Sequence, residues 1–171
     1  MNRLSALAVA LAFLAAGCGS STSPSSSSSP TKPTFSATLL PSSEVPPVAG
    51  PEASGSGSVT ITFDVTKDAG GNVTAASVTF VANVSGFPPG TTVVAGHIHK
   101  GDPTCACPVA ISANVSSTVL PSGSGSLVLA NSAPDPAVVQ DILNNPGNYY
   151  FNLHSMLHPG GFARGQLSRV Q

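Results

Sequence analysis

The sequence predicts an all-β fold, an antiparallel sandwich or barrel with one short helix capping an end. From residue 35 onward, short runs rich in β-branched residues alternate with Gly, Pro, Ser and Asn, a pattern typical of strands joined by turns. Within two of these runs, at residues 59–65 and 78–84, apolar and polar residues alternate, so one face of each strand is buried and the other meets water. One segment near residue 140 has helical spacing instead.

Eight strands are predicted, at residues 35–40, 58–65, 73–84, 92–99, 109–115, 123–130, 149–154 and 163–167. The second strand is the clearest, because Val59, Ile61 and Phe63 alternate with polar residues. Residues 68–72 read DAGGN, a composition that tolerates positive φ and predicts a tight turn. The second and third strands should therefore form a hairpin.

The helix is predicted within residues 134–147. Asp135 is a candidate N-cap and Pro136 suits the first helical position, while apolar residues follow at positions 138, 139, 142 and 143. Pro146 and the glycine after it end the pattern. This spacing predicts a short amphipathic helix that caps one end of the fold.

The N-terminal residues predict export and a membrane anchor. Residues 1–17 combine a positive start with an apolar run that is too short to span a bilayer, which is typical of a signal peptide. Cys18 follows small residues in an arrangement that resembles the lipobox of bacterial lipoproteins, where the cysteine is acylated. Residues 18–34 form a Ser- and Pro-rich tether with little to bury, and residues 35–171 form the folded domain. The alternative is ordinary secretion with a coincidental cysteine.

Charge limits the classes of partner. The chain has six Lys and Arg, seven Asp and Glu, and a net charge of −1. No basic patch is available to bind nucleic acid. The expected partners are the membrane, through the lipid anchor, and an unknown extracytoplasmic protein or ligand, and the expected location is the cell envelope, on the cell surface or facing the periplasm.

Two of the four histidines lie two residues apart on a predicted strand. The side chains of His97 and His99 should share one face, about 6.5 to 7 Å apart. His154 could supply a third ligand and His158 a fourth to a copper or zinc ion. The alternative is that these imidazoles hydrogen-bond to buried carbonyls or to Asn152 and fix a loop without metal. Folding itself requires no cofactor.

Cys105 and Cys107 follow the histidine pair closely. In an oxidising compartment they could form a disulfide, although a bridge across one residue strains the backbone. They could also be free or copper-coordinating thiolates, which would favour Cu(I), or they could pair with another chain. The sequence leaves these three alternatives open.

Six short motifs follow one another along the domain: Glu44-Val45-Pro46-Pro47-Val48, Gly55-Ser56-Gly57, His97-Ile98-His99 with Gly101, Pro108-Val109, Asn152-Leu153-His154, and Pro159-Gly160-Gly161 leading into Arg164-Gly165-Gln166-Leu167. Their order resembles the chordin-type (CHRD) domain family over residues 35–167. The resemblance implies an immunoglobulin-like, Greek-key β-sandwich and a binding or interaction role without established catalysis. Two departures are the missing acidic residue just before Arg164 and the cysteines at 105 and 107.

Residues 97–102 also resemble the copper-binding strand of copper-zinc superoxide dismutases. A two-metal dismutase site needs more imidazoles than the four histidines of this chain. The chain has enough histidines only for a smaller site that holds copper alone. Arg164 could clamp a ligand carboxylate, or it could tie the last strand to carbonyls of the loop at residues 44–47 or to Glu44 itself; we expect the structural role.

These patterns together predict a surface-anchored lipoprotein that carries a CHRD binding module, with no catalysis expected. The alternative function is an exported copper- or zinc-binding protein with a copper-handling or dismutase-like redox role.

Overall fold

The computed structural model describes residues 32–171, in which two antiparallel sheets pack face to face. The strands are β1 (Thr34–Leu39), β2 (Ser56–Lys67), β3 (Val73–Ser85), β4 (Thr91–Lys100), β5 (Val109–Ser112), β6 (Thr118–Leu120), β7 (Gly125–Asn131), β8 (Tyr149–Ser155), β9 (Ala163–Gln166) and β10 (Ser168–Arg169). One α-helix, α1, spans Pro136–Asn144. The predicted all-β sandwich with one short helix is confirmed. The predicted signal peptide, the predicted lipidation site Cys18 and the predicted tether up to residue 31 lie outside the described residues.

The first sheet has the strand order β10-β1-β2-β3-β7. Its centre is the predicted hairpin of β2 and β3, in which Ile61 lies opposite Phe80. The inward side chains of this sheet meet those of the second sheet in one apolar core. The Phe80 and Phe151 rings stack there with their centroids 5.4 Å apart, so contact between the two sheets rests partly on an aromatic pair.

The second sheet has the order β5-β4-β8-β9, and β6 pairs with the first residues of β4. Its register places His97 opposite Asn152 and Asn152 opposite Arg164. Three polar residues therefore form one row across β4, β8 and β9. An isolated bridge between Leu40 and Arg164 joins this row to the chain that leaves β1.

The helix lies near the end of the sandwich where β1 begins. Asp135 accepts a hydrogen bond from the Ala137 amide at 2.8 Å, which is the predicted N-cap. Arg169, which lies opposite Phe35 of β1, donates to the Leu143 carbonyl at 2.6 Å. The apolar face of the helix, formed by Val139, Ile142 and Leu143, is buried.

Three strands differ from the prediction. The predicted strand at 109–115 is shorter, because β5 ends at Ser112 and Asn114 has φ 50°, a left-handed conformation that ends a strand. Neither β6, with three residues, nor β10, with two, was predicted; runs that short show no alternation. Within residues 32–171, no helix has the length and apolarity needed to cross a membrane.

Candidate metal centre

Three histidines converge on one face of the second sheet. His97 and His99 lie on β4 and His154 lies on β8. One ring nitrogen from each lies within 4.8 Å of the others. The residues that alternate with them, Ile98 and Leu153, are fully buried in the core, so the histidines point to the opposite face. The two-residue spacing and the pairing of β4 with β8 create this cluster.

Backbone carbonyls fix the tautomers of two of these rings. His99 Nδ1 lies 2.7 Å from the Cys107 carbonyl oxygen, and His154 Nδ1 lies 3.0 Å from that of Pro159. A carbonyl oxygen only accepts, so each Nδ1 carries the hydrogen and each Nε2 keeps its lone pair. The same arrangement orients the imidazole ligands of metal sites.

The remaining nitrogens face one another. His154 Nε2 lies 2.9 Å from His97 Nδ1, and His99 Nε2 is buried without a hydrogen-bond partner. The available ligand atoms are therefore Nε2 of His99, Nε2 of His154 and Nδ1 of His97. Two nitrogens bound tetrahedrally at 2.0–2.1 Å lie roughly 3.3 Å apart, so the closest pair needs only a small outward movement to share an ion.

Burial keeps these imidazoles neutral. It is the main reason that the pKa of His97 is lowered to about 4, and the neighbouring His154 and His99 lower it further. Burial likewise lowers the pKa of His99 and of His154, although their carbonyl partners oppose this. A neutral imidazole is the form that binds a metal. Three of them suit zinc and copper.

The structure does not bring His158 into this cluster. Its Nδ1 lies 2.6 Å from Glu52 Oε2, and Ser155 donates to the same oxygen at 2.7 Å. The His158 amide in turn donates to the Ser155 hydroxyl. His158 thus secures the loop after β8 to a buried carboxylate, and the expectation of a fourth histidine ligand is not met.

The two cysteines of the loop after β4 are bonded to each other. Cys105 and Cys107 form a disulfide with a Cα–Cα distance of 5.3 Å, which is the first of the three alternatives. The Cys107 amide donates to the Tyr150 hydroxyl at 3.0 Å, and its carbonyl holds His99. The disulfide loop, residues 101–108, therefore lies against the histidine cluster.

Arg164 is buried and connects β9 to two loops. Its guanidinium donates to the carbonyl oxygens of Ser43 at 2.6 Å, Cys105 at 2.7 Å and Pro103 at 2.5 Å. It also lies 4.3 Å from the centre of the Tyr150 ring, a cation–π contact. The structural role was expected, but the carbonyls differ: one precedes the loop at 44–47 and two belong to the disulfide loop.

Glu44 and Asn152 form a buried polar pair beside the cluster. Asn152 Nδ2 lies 3.4 Å from Glu44 Oε2, while Glu44 Oε1 and Asn152 Oδ1 have no hydrogen-bond partner. Burial raises the pKa of Glu44 to about 7, although the Arg164 charge and the Asn152 hydrogen bond lower it. The two side chains and His99 line one cavity of about 100 Å³.

Sequence reasoning missed this cavity and the part that Tyr150 plays. The Tyr150 ring stacks on His99 with a centroid distance of 4.8 Å and an interplanar angle of 2°. The two-residue spacing of Tyr150, Asn152 and His154 could have revealed this part, because residues so spaced share one face of a strand. The loops that close the cavity carry no comparable periodicity.

Comparison with protein families matches residues 35–167 to the CHRD domain. Neither the curated proteins nor the solved structures that were compared contain a match. The match covers most of the chain and every buried residue of its apolar core. The chain therefore belongs to the CHRD domain family.

Proposed function

We propose that this protein is an exported CHRD binding module whose ligand is one transition-metal ion, copper or zinc. The observation that carries the proposal is the convergence of His97, His99 and His154 within 4.8 Å. The ion would be held by three imidazole nitrogens. It would leave at least one coordination position for a ligand that the protein does not supply.

Hydrogen bonding alone does not account for the cluster. The carbonyls of Cys107 and Pro159 satisfy Nδ1 of His99 and His154. They leave His99 Nε2 buried and unpartnered, which costs free energy unless something binds that atom. A metal ion would satisfy it and would use the orientation that the carbonyls impose.

The choice between metals depends on the ligand atoms. Thiolates would favour Cu(I), but Cys105 and Cys107 are bonded to each other. An all-imidazole set accepts both copper and zinc. We therefore propose a histidine centre and regard copper handling through thiolates as the weaker alternative.

A copper-only, dismutase-like activity is the second candidate, because the cavity beside His99 could admit a small molecule. The local charges do not favour it. Lys100 pairs with Asp141 at 2.7 Å, and the charge of the buried Arg164 interacts with the Glu44 carboxyl. Little positive charge is left to steer superoxide. Superoxide consumption by the copper-loaded protein tests this activity directly.

The proposal also places the module at the membrane through Cys18 and the tether. In the folded domain, Thr34 begins β1, and Leu40 beyond its other end pairs with Arg164. Six strand residues span roughly 17 to 20 Å. The row of polar residues at the metal centre thus lies away from the point where the tether joins, which suits a centre presented outward from the membrane.

Metal analysis of protein purified without a histidine tag tests the proposal. We expect one copper or zinc ion per chain and a higher melting temperature when metal is added. The double variant His97→Ala, His99→Ala should lose the ion. His158→Ala is the matched control and should keep it, because His158 binds Glu52 instead. The proposal is contradicted if the purified protein contains no metal and its melting temperature does not change when metal is added.

A further inference from the structure

All the unpartnered buried side-chain polar atoms in residues 32–171 belong to residues that line one cavity. They are Glu44 Oε1, Asn152 Oδ1 and His99 Nε2, and the three residues are at least nine-tenths buried. Buried polar atoms are normally hydrogen-bonded. Three exceptions around one cavity of about 100 Å³ indicate a bound ligand.

The chemistry of these atoms defines what the ligand must offer. His99 Nε2 is the atom that would bind the metal ion, so the carboxylate oxygen of Glu44 and the amide oxygen of Asn152 remain, and both are acceptors. Asn152 has its amide nitrogen directed at Glu44 Oε2, so its oxygen is the atom left over. The cavity therefore favours a hydrogen-bond donor or a cation and disfavours an anion.

Arg164 also lines the cavity but does not reverse this preference. Three of its N–H groups donate to the carbonyls of Ser43, Pro103 and Cys105. The planar guanidinium is held against the Tyr150 ring. Three of its five N–H groups are thus directed at the loops, and its positive charge acts on the Glu44 carboxyl, whose Oε1 atom still lacks a donor.

We propose that Glu44 and Asn152 select the non-protein ligand of the metal ion and favour small hydrogen-bond donors, such as water, over small anions. This inference rests on the proposed metal function, because His99 contributes both to the cavity and to the metal centre. Glu44 is the specificity-determining residue. The ligand class is a neutral protic molecule of a few heavy atoms.

Access to the cavity supports an exchangeable ligand. A larger groove of about 370 Å³ lies outside it, and the two share Glu44, Val45 and Gly160 as lining residues. The groove is formed by the loop after β1 and the loop after β8. A small molecule can therefore reach the Glu44 carboxyl from the surface between these loops.

Azide binding to copper(II)-loaded protein tests the selectivity. At pH 8, above the pKa of about 7 of Glu44, its carboxylate should repel azide. Glu44→Gln keeps the shape and removes the charge, so azide should bind about tenfold more tightly or better. Asp64→Asn is the control, since it also removes one negative charge but lies on β2, where Asp64 pairs with Lys32. It should bind azide as the wild type does.

The outcomes separate the two proposals. If the wild type retains no copper, the metal function fails. If copper is retained and Glu44→Gln binds azide within twofold of the wild type, the function stands and the selectivity is overturned. Azide affinity is read from the optical spectrum of the copper centre, and copper content is measured for every variant.

A second variant tests the entrance and does not depend on the folding of Glu44→Gln. A Cβ atom at Gly160 would meet no atom within 4 Å, so Gly160→Leu can place a side chain into the space at the entrance. Azide should bind at least about tenfold more slowly or more weakly. Gly147→Leu, at an equally open position, should behave as the wild type. Equal azide binding by Gly160→Leu and the wild type would overturn the proposal.

Discussion

His99 shows how its neighbours determine the chemistry of one side chain. The Cys107 carbonyl fixes its tautomer, the Tyr150 ring stacks on it, and burial lowers its pKa. The result is a neutral ring with one unpartnered nitrogen directed at the cluster. The same residue with an exposed ring would gain none of these properties.

The site residues differ in how far the sequence could predict them. The two-residue spacing of His97 and His99 on a strand is enough to place both side chains on one face. The prediction that His154 is a third ligand rested on its position in a later predicted strand. His158 and Glu44 lie in loops, and loop positions depend on long-range contacts such as the pair between Glu52 and His158, which no periodicity reveals.

Glu44 should make the stability of the metal-free domain depend on pH. Burial raises its pKa from 4.5 to about 7, so the folded state binds its proton more tightly than the unfolded state. The stability that this group contributes is fully present below pH 4.5 and is lost as pH rises to about 7. Relative to Glu44→Gln, the wild type should lose about 2 to 3 kcal/mol across this range.

Urea unfolding of both proteins between pH 4 and pH 8.5, with a chelator present, measures this difference. The histidines of the cluster titrate in both proteins, so their contribution cancels in the comparison. Parallel pH profiles for the wild type and Glu44→Gln would show that the Glu44 carboxyl is solvated in the folded protein.

At the scale of elements, two strands carry the histidines and loops complete the centre. β4 and β8 place the three rings, and both strands were predicted as short runs bounded by Gly, Pro, Ser and Asn residues. The loops orient the rings through the carbonyls of Cys107 and Pro159. β6 and β10 were missed because two or three residues show no period, and β5 was predicted too long because Asn114 turns the chain.

The disulfide loop should act as a support for the proposed metal centre. Its carbonyls hold His99 and Arg164, and the Cys105–Cys107 bond limits the conformations that residues 105–107 can adopt. Replacing both cysteines by serine should weaken metal binding about tenfold, the lower end of the effect of losing an outer partner of a ligand. The sheets should remain folded, because residues 101–108 contribute nothing to the apolar core.

Competition with a chelating dye measures this affinity, and circular dichroism checks the fold. A mild phosphine reductant should leave zinc binding by the serine variant unchanged, because that variant has no disulfide to reduce. If the affinity of the serine variant equals that of the oxidised wild type, the orientation of His99 does not depend on the disulfide.

At the scale of the whole molecule, the two ends of the sandwich carry different features. The end where β1 begins carries α1, and the first sheet continues there into the hairpin at residues 68–72. The other end carries the loop with Glu44 and the loop with Gly160 that line the cavity. Strand order and register produce this separation, and a composition-based prediction of a sandwich does not contain it.

Cys18 should determine whether that arrangement is displayed at a membrane. In the native host, the wild type is expected in the membrane fraction with an acylated N-terminal cysteine, since several acyl chains anchor a protein stably. Cys18→Ser should appear in the soluble fraction or keep its signal peptide, and mass spectrometry distinguishes the two. The variant with serine at positions 105 and 107 is the control and should remain membrane-bound, because its lipidation site is intact. Recovery of unacylated wild-type protein from the medium would contradict the lipid anchor. The proposed metal centre would then belong to a freely secreted domain.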